Sequence, residues 1–331
     1  MARRRRERDW VLARAANEAA ATHALFLLGE ADRAQRRLRR ASRTGPARQG
    51  DETLHDFRVA LRRVRSHLRA YRKQLPLAKK PRKRLRDLAR RTNPARDAEV
   101  ALAWLSAEYA ALDAGERADA QSFIASVADE VERAHRGLAD ELVAAWPPLA
   151  RPLRRQLHGC IKDHRRGRVK GQHSFGRTTA SLVDKRARRL EKALRRIGSR
   201  TDACAIHRAR IQAKRLRYLL EPWRGAVAPA GELVERLRRL QDVTGDLHDA
   251  QLLGERLQDA LGRAPDGAFA TRPGLARLAA RLDAYQDTCF ATAAREHLGT
   301  AIDTLVDDAR RVAAIIAPWP PPGVEGQARS S

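Results

Sequence analysis

An internal repeat constrains this chain more than any other feature. Shifted by 152 positions without a gap, His55 falls on His207, Arg58 on Arg210, Arg62 on Lys214, Arg63 on Arg215, Arg65 on Arg217 and Arg72 on Arg224. The register continues beyond that segment: Leu85, Leu88, Thr92, Asp97, Ala98 and Leu105 fall on Leu237, Leu240, Thr244, Asp249, Ala250 and Leu257. One register held across two helical patterns and the loop between them indicates a duplicated unit. The fold must therefore accommodate the same packing twice within 331 residues.

The apolar periodicity is helical. Phe57, Leu61, Val64, Leu68, Tyr71 and Leu75 step by four and three, as do Ala209, Ala213, Leu216, Leu220 and Trp223 in the second copy, so each set lines one helix face and predicts a buried seam. Aromatic residues make up 5% of the chain, and alternating β-branched stretches are scarce, which argues against sandwiches, barrels and doubly wound sheets. Clusters of Gly, Pro and Ser divide the chain into eight predicted helices, at roughly 8–41, 51–75, 82–105, 107–145, 177–197, 203–221, 231–261 and 275–317. The expectation is an all-α protein of two repeated four-helix bundles with approximate internal two-fold symmetry. The first repeat spans 1–150, the second 151–317, and a disordered tail covers 318–331.

Beside each seam runs a cationic ridge. His55, Arg58, Arg62, Arg65 and Arg69 follow the seam displaced by one residue, about 100° of rotation. In the second copy His207, Arg210, Lys214 and Arg217 do the same, and Glu221 stands where Arg69 had continued the ridge. Stacked like charges cost a few tenths of a kcal/mol per neighbour. A solvated face with intramolecular ion pairs is the bland account of one such stripe, but its recurrence in both halves favours a ligand-binding surface. The charge is also concentrated. The chain carries 67 basic and 40 acidic residues, a net +27. Residues 55–91 hold fifteen Arg or Lys against Asp56 and Asp87, whereas residues 240–331 hold nine basic and thirteen acidic residues. Lys83, Arg86 and Arg90 extend the positive surface from a second basic helix, matched by Arg238 and Arg239. A groove so lined focuses its field on an anionic chain.

The segment from Leu54 to Arg65, repeated from Ile206 to Tyr218, resembles the signature of the CHAD domain, a conserved-histidine α-helical family. The run from Leu240 to Asp249, with Gln241 and Gly245, resembles the family's second motif, and the first-half copy departs from it at Asn93-Pro94. The resemblance implies two four-helix bundles and a basic central surface that binds inorganic polyphosphate, in association with polyphosphate or storage granules. Carried over residue by residue, the implied binding positions are His55, Arg58, Arg62, Arg63 and Arg65, with His207, Arg210, Lys214, Arg215 and Arg217. Helix geometry adds Arg69, Lys83, Arg86, Arg90, Arg238 and Arg239. Polyphosphate has no base to read, so Arg forks and Lys ammonium groups suffice and aromatic platforms are unnecessary. The imidazoles beside an anion are expected to protonate, so that binding strengthens as pH falls.

Other chemistries find less support. Cys160, Cys204 and Cys289 are dispersed, with no Cys-x-x-Cys pair, and read as reduced thiols. His158, His164 and His173 lie among arginines that make a dication unwelcome. Asp97 and Asp249 are read as partners of a nearby Arg or a helix start rather than metal ligands. No phosphate-binding Gly-rich loop, zinc-hydrolase motif or nucleophile elbow is present, so neither an enzyme nor a cofactor is expected. Nonspecific nucleic-acid binding is the main alternative, and a polyphosphate-processing enzyme is the third reading. No apolar run is long enough to span a bilayer, and a soluble, cytoplasmic protein is expected.

Overall fold

The computed structural model describes residues 11–44, 47–168, 173–262 and 272–319. Residues 3–6, four consecutive arginines, and most of the expected tail lie outside them. The described residues are all-α: α1 (Ala16–Thr44), α2 (Ala47–Ala70), α3 (Lys79–Arg91), α4 (Asn93–Tyr109), α5 (Ala114–His135), α6 (Leu138–Arg165), α7 (Phe175–Leu194), α8 (Ala203–Leu220), α9 (Ala228–Gly262), α10 (Pro273–His297) and α11 (Thr300–Ile316). A 3₁₀ turn, Glu221–Trp223, follows α8.

Three expected helices are each divided, for local reasons. Pro94 has no N–H to continue the ladder, and the expected 82–105 helix splits at Thr92, whose hydroxyl donates to the Ala89 carbonyl at 2.9 Å. The single helix α9 takes the corresponding place in the second repeat. The 107–145 helix splits twice. Asp113 and Glu116 form a reciprocal capping box that starts α5, and Gly137, at φ 72°, sits in the left-handed region between α5 and α6. Gly299, at φ 58°, divides the 275–317 helix in the same way.

At Trp146–Pro152 the opposite happens. Pro147, Pro148 and Pro152 lie inside α6, so residue 150 falls within a helix. Pro147 cannot donate to Val143, but the Gln35 side-chain amide donates to that carbonyl at 3.1 Å. Trp146 Nε1 and Arg154 both donate to Asp32, which fastens α6 to α1.

Both predicted seams are buried: Phe57, Leu61, Val64, Leu68, Tyr71 and Leu75 in the first copy, Ala209, Ala213, Leu216, Leu220 and Trp223 in the second. One core cluster draws on α1, α2, α3 and α6 together with α7, α8, α11 and the first half of α9. A second gathers α4, α5, the second half of α9 and α10. Residues of both repeats contribute to each. Helices α5 and α10 meet closely: a Cβ on Gly274 would lie 2.0 Å from the Glu116 carbonyl oxygen, and Asp119 accepts from the Gly274 and Leu275 backbone N–H groups. Trp319, placed in the tail by the sequence reading, packs edge-on against Trp223 at 5.7 Å between ring centroids.

The seam of α2 also buries imidazole. His67 Nε2 donates to the Ala20 carbonyl at 2.9 Å, and its ring lies 4.8 Å from that of His23. Burial lowers His67 to about 4 against a small opposing effect of the Ala20 carbonyl. Burial, then His67 and Arg63, lower His23 as well. Both fold as neutral rings, so below about pH 6.5 the unfolded chain binds more protons. Their contribution is complete above that pH and is lost progressively as pH falls toward 4. Urea denaturation at pH 7.5, 6 and 5 is expected to give decreasing stability, with a shallower decrease in His67→Gln; equal slopes would contradict the assignment.

Candidate polyanion-binding groove

The equivalent helices α2 and α8 pack against each other, which brings the two cationic ridges together. Lys214 stands at their meeting. Burial and the charges of Arg210, Arg62, Arg217 and Arg65 lower its ammonium to about 7. Arg65 is lowered too, first by burial and then by Arg69, Arg90 and Arg62. The Nε groups of Arg62 and Arg217 are buried without an acceptor, a state that costs free energy until one arrives. Arg217 also lies over the Tyr218 ring at 4.7 Å, which fixes its direction.

The motif residues that flank this centre play two parts. Arg58 is only 5% exposed and donates to both carboxylate oxygens of Glu99, at 3.2 and 3.1 Å. Glu99 in turn meets His135 at 2.6 Å. Arg58 thus anchors α2 to α4, and reversing its charge would set two carboxylates together. Its equivalent, Arg210, is partly exposed and pairs with Asp249 at 3.7 Å, as the sequence suggested for that aspartate. The motif glycine explains itself here: a Cβ on Gly245 would come within 3.3 Å of Arg210 Nε and Nη2. Glycine leaves room for the guanidinium to lie against α9.

His55 and His207 reach the groove with pKa values below the ordinary one. Burial acts first on each, followed by Arg62, Arg96 and Arg58 on His55 and by Arg210 and Lys214 on His207. Burial, and after it the neighbouring cations, thus disfavour the charged form of both imidazoles.

Outward from Arg65 the cations continue along one side. Arg65, Arg69, Arg72, Arg82, Arg86 and Arg90 line a cavity of about 430 Å³ between α2 and α3. Arg69 and Arg72 also line a neighbouring cavity of about 520 Å³, where α7 adds Arg177, Lys185, Arg186 and Arg189. Arg215 faces that cluster and is lowered to about 10, first by burial and then by Arg69, Arg186, Arg189 and Arg65. The α7 cations were missed in the sequence. Their signal was a one-residue displacement of the opposite sense: Arg186 and Arg189 precede the buried Ala187 and Leu190, where the ridge cations follow their seam residues.

Other expected positions lie apart from this row. Arg63 is held by Glu221 at 3.3 Å and Glu30 at 3.8 Å. Lys83 is exposed and lines neither cavity. Arg238 meets Glu235 and Asp242 on the surface, and Arg239 lines a separate cavity of about 160 Å³ with Arg236, Asp308 and Arg311. Among the described residues, no group of three or more His, Cys, Asp or Glu side chains is placed to hold a metal ion.

A lysine with a pKa of about 7 in the folded state and about 10.4 in the unfolded chain opposes folding across that window and most strongly below it. Lys214→Met is therefore expected to raise the melting temperature at pH 7 by ~2–4 °C, the shift that roughly 1 kcal/mol produces in a larger domain. A lower melting temperature would show that the ammonium stabilises the fold.

The fold has a solved counterpart. The crystal structure of the CHAD domain from the plant Ricinus communis superposes with a TM-score of 0.62 at 21% identity, covering 90% of this chain and 92% of that one. No curated protein matches the chain. The family model for the CHAD domain matches residues 31–258, the span that contains both cationic ridges and both copies of the second motif. The chain belongs to the CHAD domain family.

Proposed function

We propose that this protein binds inorganic polyphosphate without chemically processing it. The phosphate chain lies in the basic groove formed where α2 meets α8. The two repeats act as related helical bundles about an approximate two-fold axis, each contributing one ridge. The reading places the protein in the cytoplasm, in association with polyphosphate or storage granules. Membership of a family associated with polyphosphate binding supports the ligand. Among the described residues no helix is long and apolar enough to cross a membrane.

One observation carries the proposal. Arg65, Arg69, Arg72, Arg186, Arg189 and Arg215 converge from α2 and the turn after it, α7 and α8, and none has a carboxylate partner among the described residues. Guanidinium groups held together without counter-charge repel until an anion supplies it, and each can give phosphate oxygens two parallel hydrogen bonds. The ligand needs dense charge and little width. Polyphosphate offers both, whereas a duplex would present its phosphates across a broad grooved surface.

The pH response follows from Lys214. A bound polyanion raises the ammonium pKa above its free value of about 7. Binding takes up a proton between those two values, so affinity rises as pH falls from above 8 to below 7. The depressed histidines place their own uptake lower. A competition titration at near-physiological salt, with long-chain polyphosphate displacing a labelled DNA duplex, is expected to show at least tenfold preference for polyphosphate and tightening from pH 8 to 6.5. Lys214→Met is expected to flatten that pH dependence. Equal affinity for duplex and polyphosphate would make the face a general polyanion surface and reject the proposal.

A further inference from the structure

The repeat would make the groove two-armed, yet its two arms differ in charge. Under the 152-residue shift Arg69 corresponds to Glu221, Arg82 to Val234, Arg90 to Asp242, Arg186 to Ala34 and Arg177 to Leu25. The arm built from the end of α2 with α3 and α7 thus carries cations at positions that are acidic or apolar in the other.

Cations that do remain in the second arm are already engaged. Arg63 lies between Glu30 and Glu221, Arg217 meets Glu221 at 3.7 Å, and Arg33 meets Glu30 at 3.7 Å. Arg37 pairs with Asp56 at 2.7 Å, and Arg224 with Glu235 at 2.8 Å. The equivalents Arg63 and Arg215 state the contrast most directly: one is held by two carboxylates, the other is surrounded by Arg69, Arg186, Arg189 and Arg65. Arg69, Arg186 and Arg189 have no carboxylate partner among the described residues.

We infer that the polyphosphate chain occupies one arm only, running from the Lys214 centre past Arg65 and Arg69 to the Arg186–Arg189 face of α7, and that Glu30 and Glu221 close the other arm. The inference rests on the polyphosphate reading and refines it: the chain is held along an asymmetric track, and Glu221 marks where it stops. Anionic ligand approaching Glu221 meets a carboxylate among cations that are already paired, so it gains little charge-assisted bonding and incurs repulsion. At near-physiological salt the screening length is about 8 Å, so the two arms respond separately to local changes in charge.

The test compares two double charge reversals of equal size in the full chain, using long-chain polyphosphate as the probe at several salt concentrations. Arg69→Glu with Arg189→Glu alters the open arm at exposed positions. Arg224→Glu with Arg238→Glu alters the closed arm, also at exposed positions. Melting temperatures of both variants establish that they are folded. The first pair is expected to lower affinity at least tenfold and to reduce the slope of log affinity against log salt by about two, the second to change affinity less than about twofold. Equal losses in the two variants, or a greater loss in the second, would overturn the one-armed track while leaving polyphosphate binding in place. A third variant, Arg65→Glu with Lys214→Glu, addresses the centre: undiminished binding there would reject the groove and the inference with it.

Discussion

Everything in the candidate site depends on the packing of α2 against α8. Each helix buries an apolar seam, and each carries its cations one residue away from that seam. Burying the seams against neighbouring helices fixes which way each ridge faces, and the contact of α2 with α8 brings the two ridges together. Apolar burial contributes about 25 cal/mol per Å², and side chains the size of Phe57, Tyr71, Leu216 and Trp223, all fully buried, outweigh the few tenths of a kcal/mol that each like-charge neighbour costs. The consequence is visible at Lys214, whose ammonium is lowered to about 7 by burial and four arginines. The fold holds a repulsive arrangement in place because the same helices cannot bury one face without presenting the other.

Under the proposed function that arrangement is preorganised for a polyanion. Arg210 is seated by Gly245 and Asp249, and Arg62 has a buried Nε with no acceptor. Side chains fixed in this way lose little further freedom when an anion arrives, so more of each charge-assisted hydrogen bond appears as affinity. Arg58 shows the complementary use of the same motif. Buried and bonded to Glu99, it holds the helices in register instead of facing a ligand. One repeated sequence pattern thus supplies a structural arginine in the first copy and a partly exposed one in the second.

Periodicity made the seams, the ridges and the all-helical fold legible in the sequence, since burial follows the step of four and three. Local chain chemistry was harder to read. Gly137 and Gly299 divide helices that their apolar pattern alone would continue, while the Trp146–Pro152 cluster stays helical, with Gln35, far away in sequence, satisfying the Val143 carbonyl that Pro147 leaves free. The site was legible where both partners lay within the repeated motif, as with Arg62, Arg65, Lys214 and Arg217. It was not legible where a partner came from elsewhere: Glu30 takes Arg63 out of the groove, and α7 brings Arg186 and Arg189 into it. Glu221 was visible as a break in the ridge, but its role depends on Arg63 and Glu30 beside it.

Under the proposed function the groove stores electrostatic repulsion that a phosphate chain relieves. Thermal unfolding across a range of salt concentrations, with and without saturating polyphosphate, tests it most directly. Salt alone is expected to raise the melting temperature as it screens the cations, and polyphosphate to raise it further, most strongly at low salt. A melting temperature that is indifferent to polyphosphate at low salt, or lowered by it, would show that the groove holds no repulsion that polyphosphate relieves.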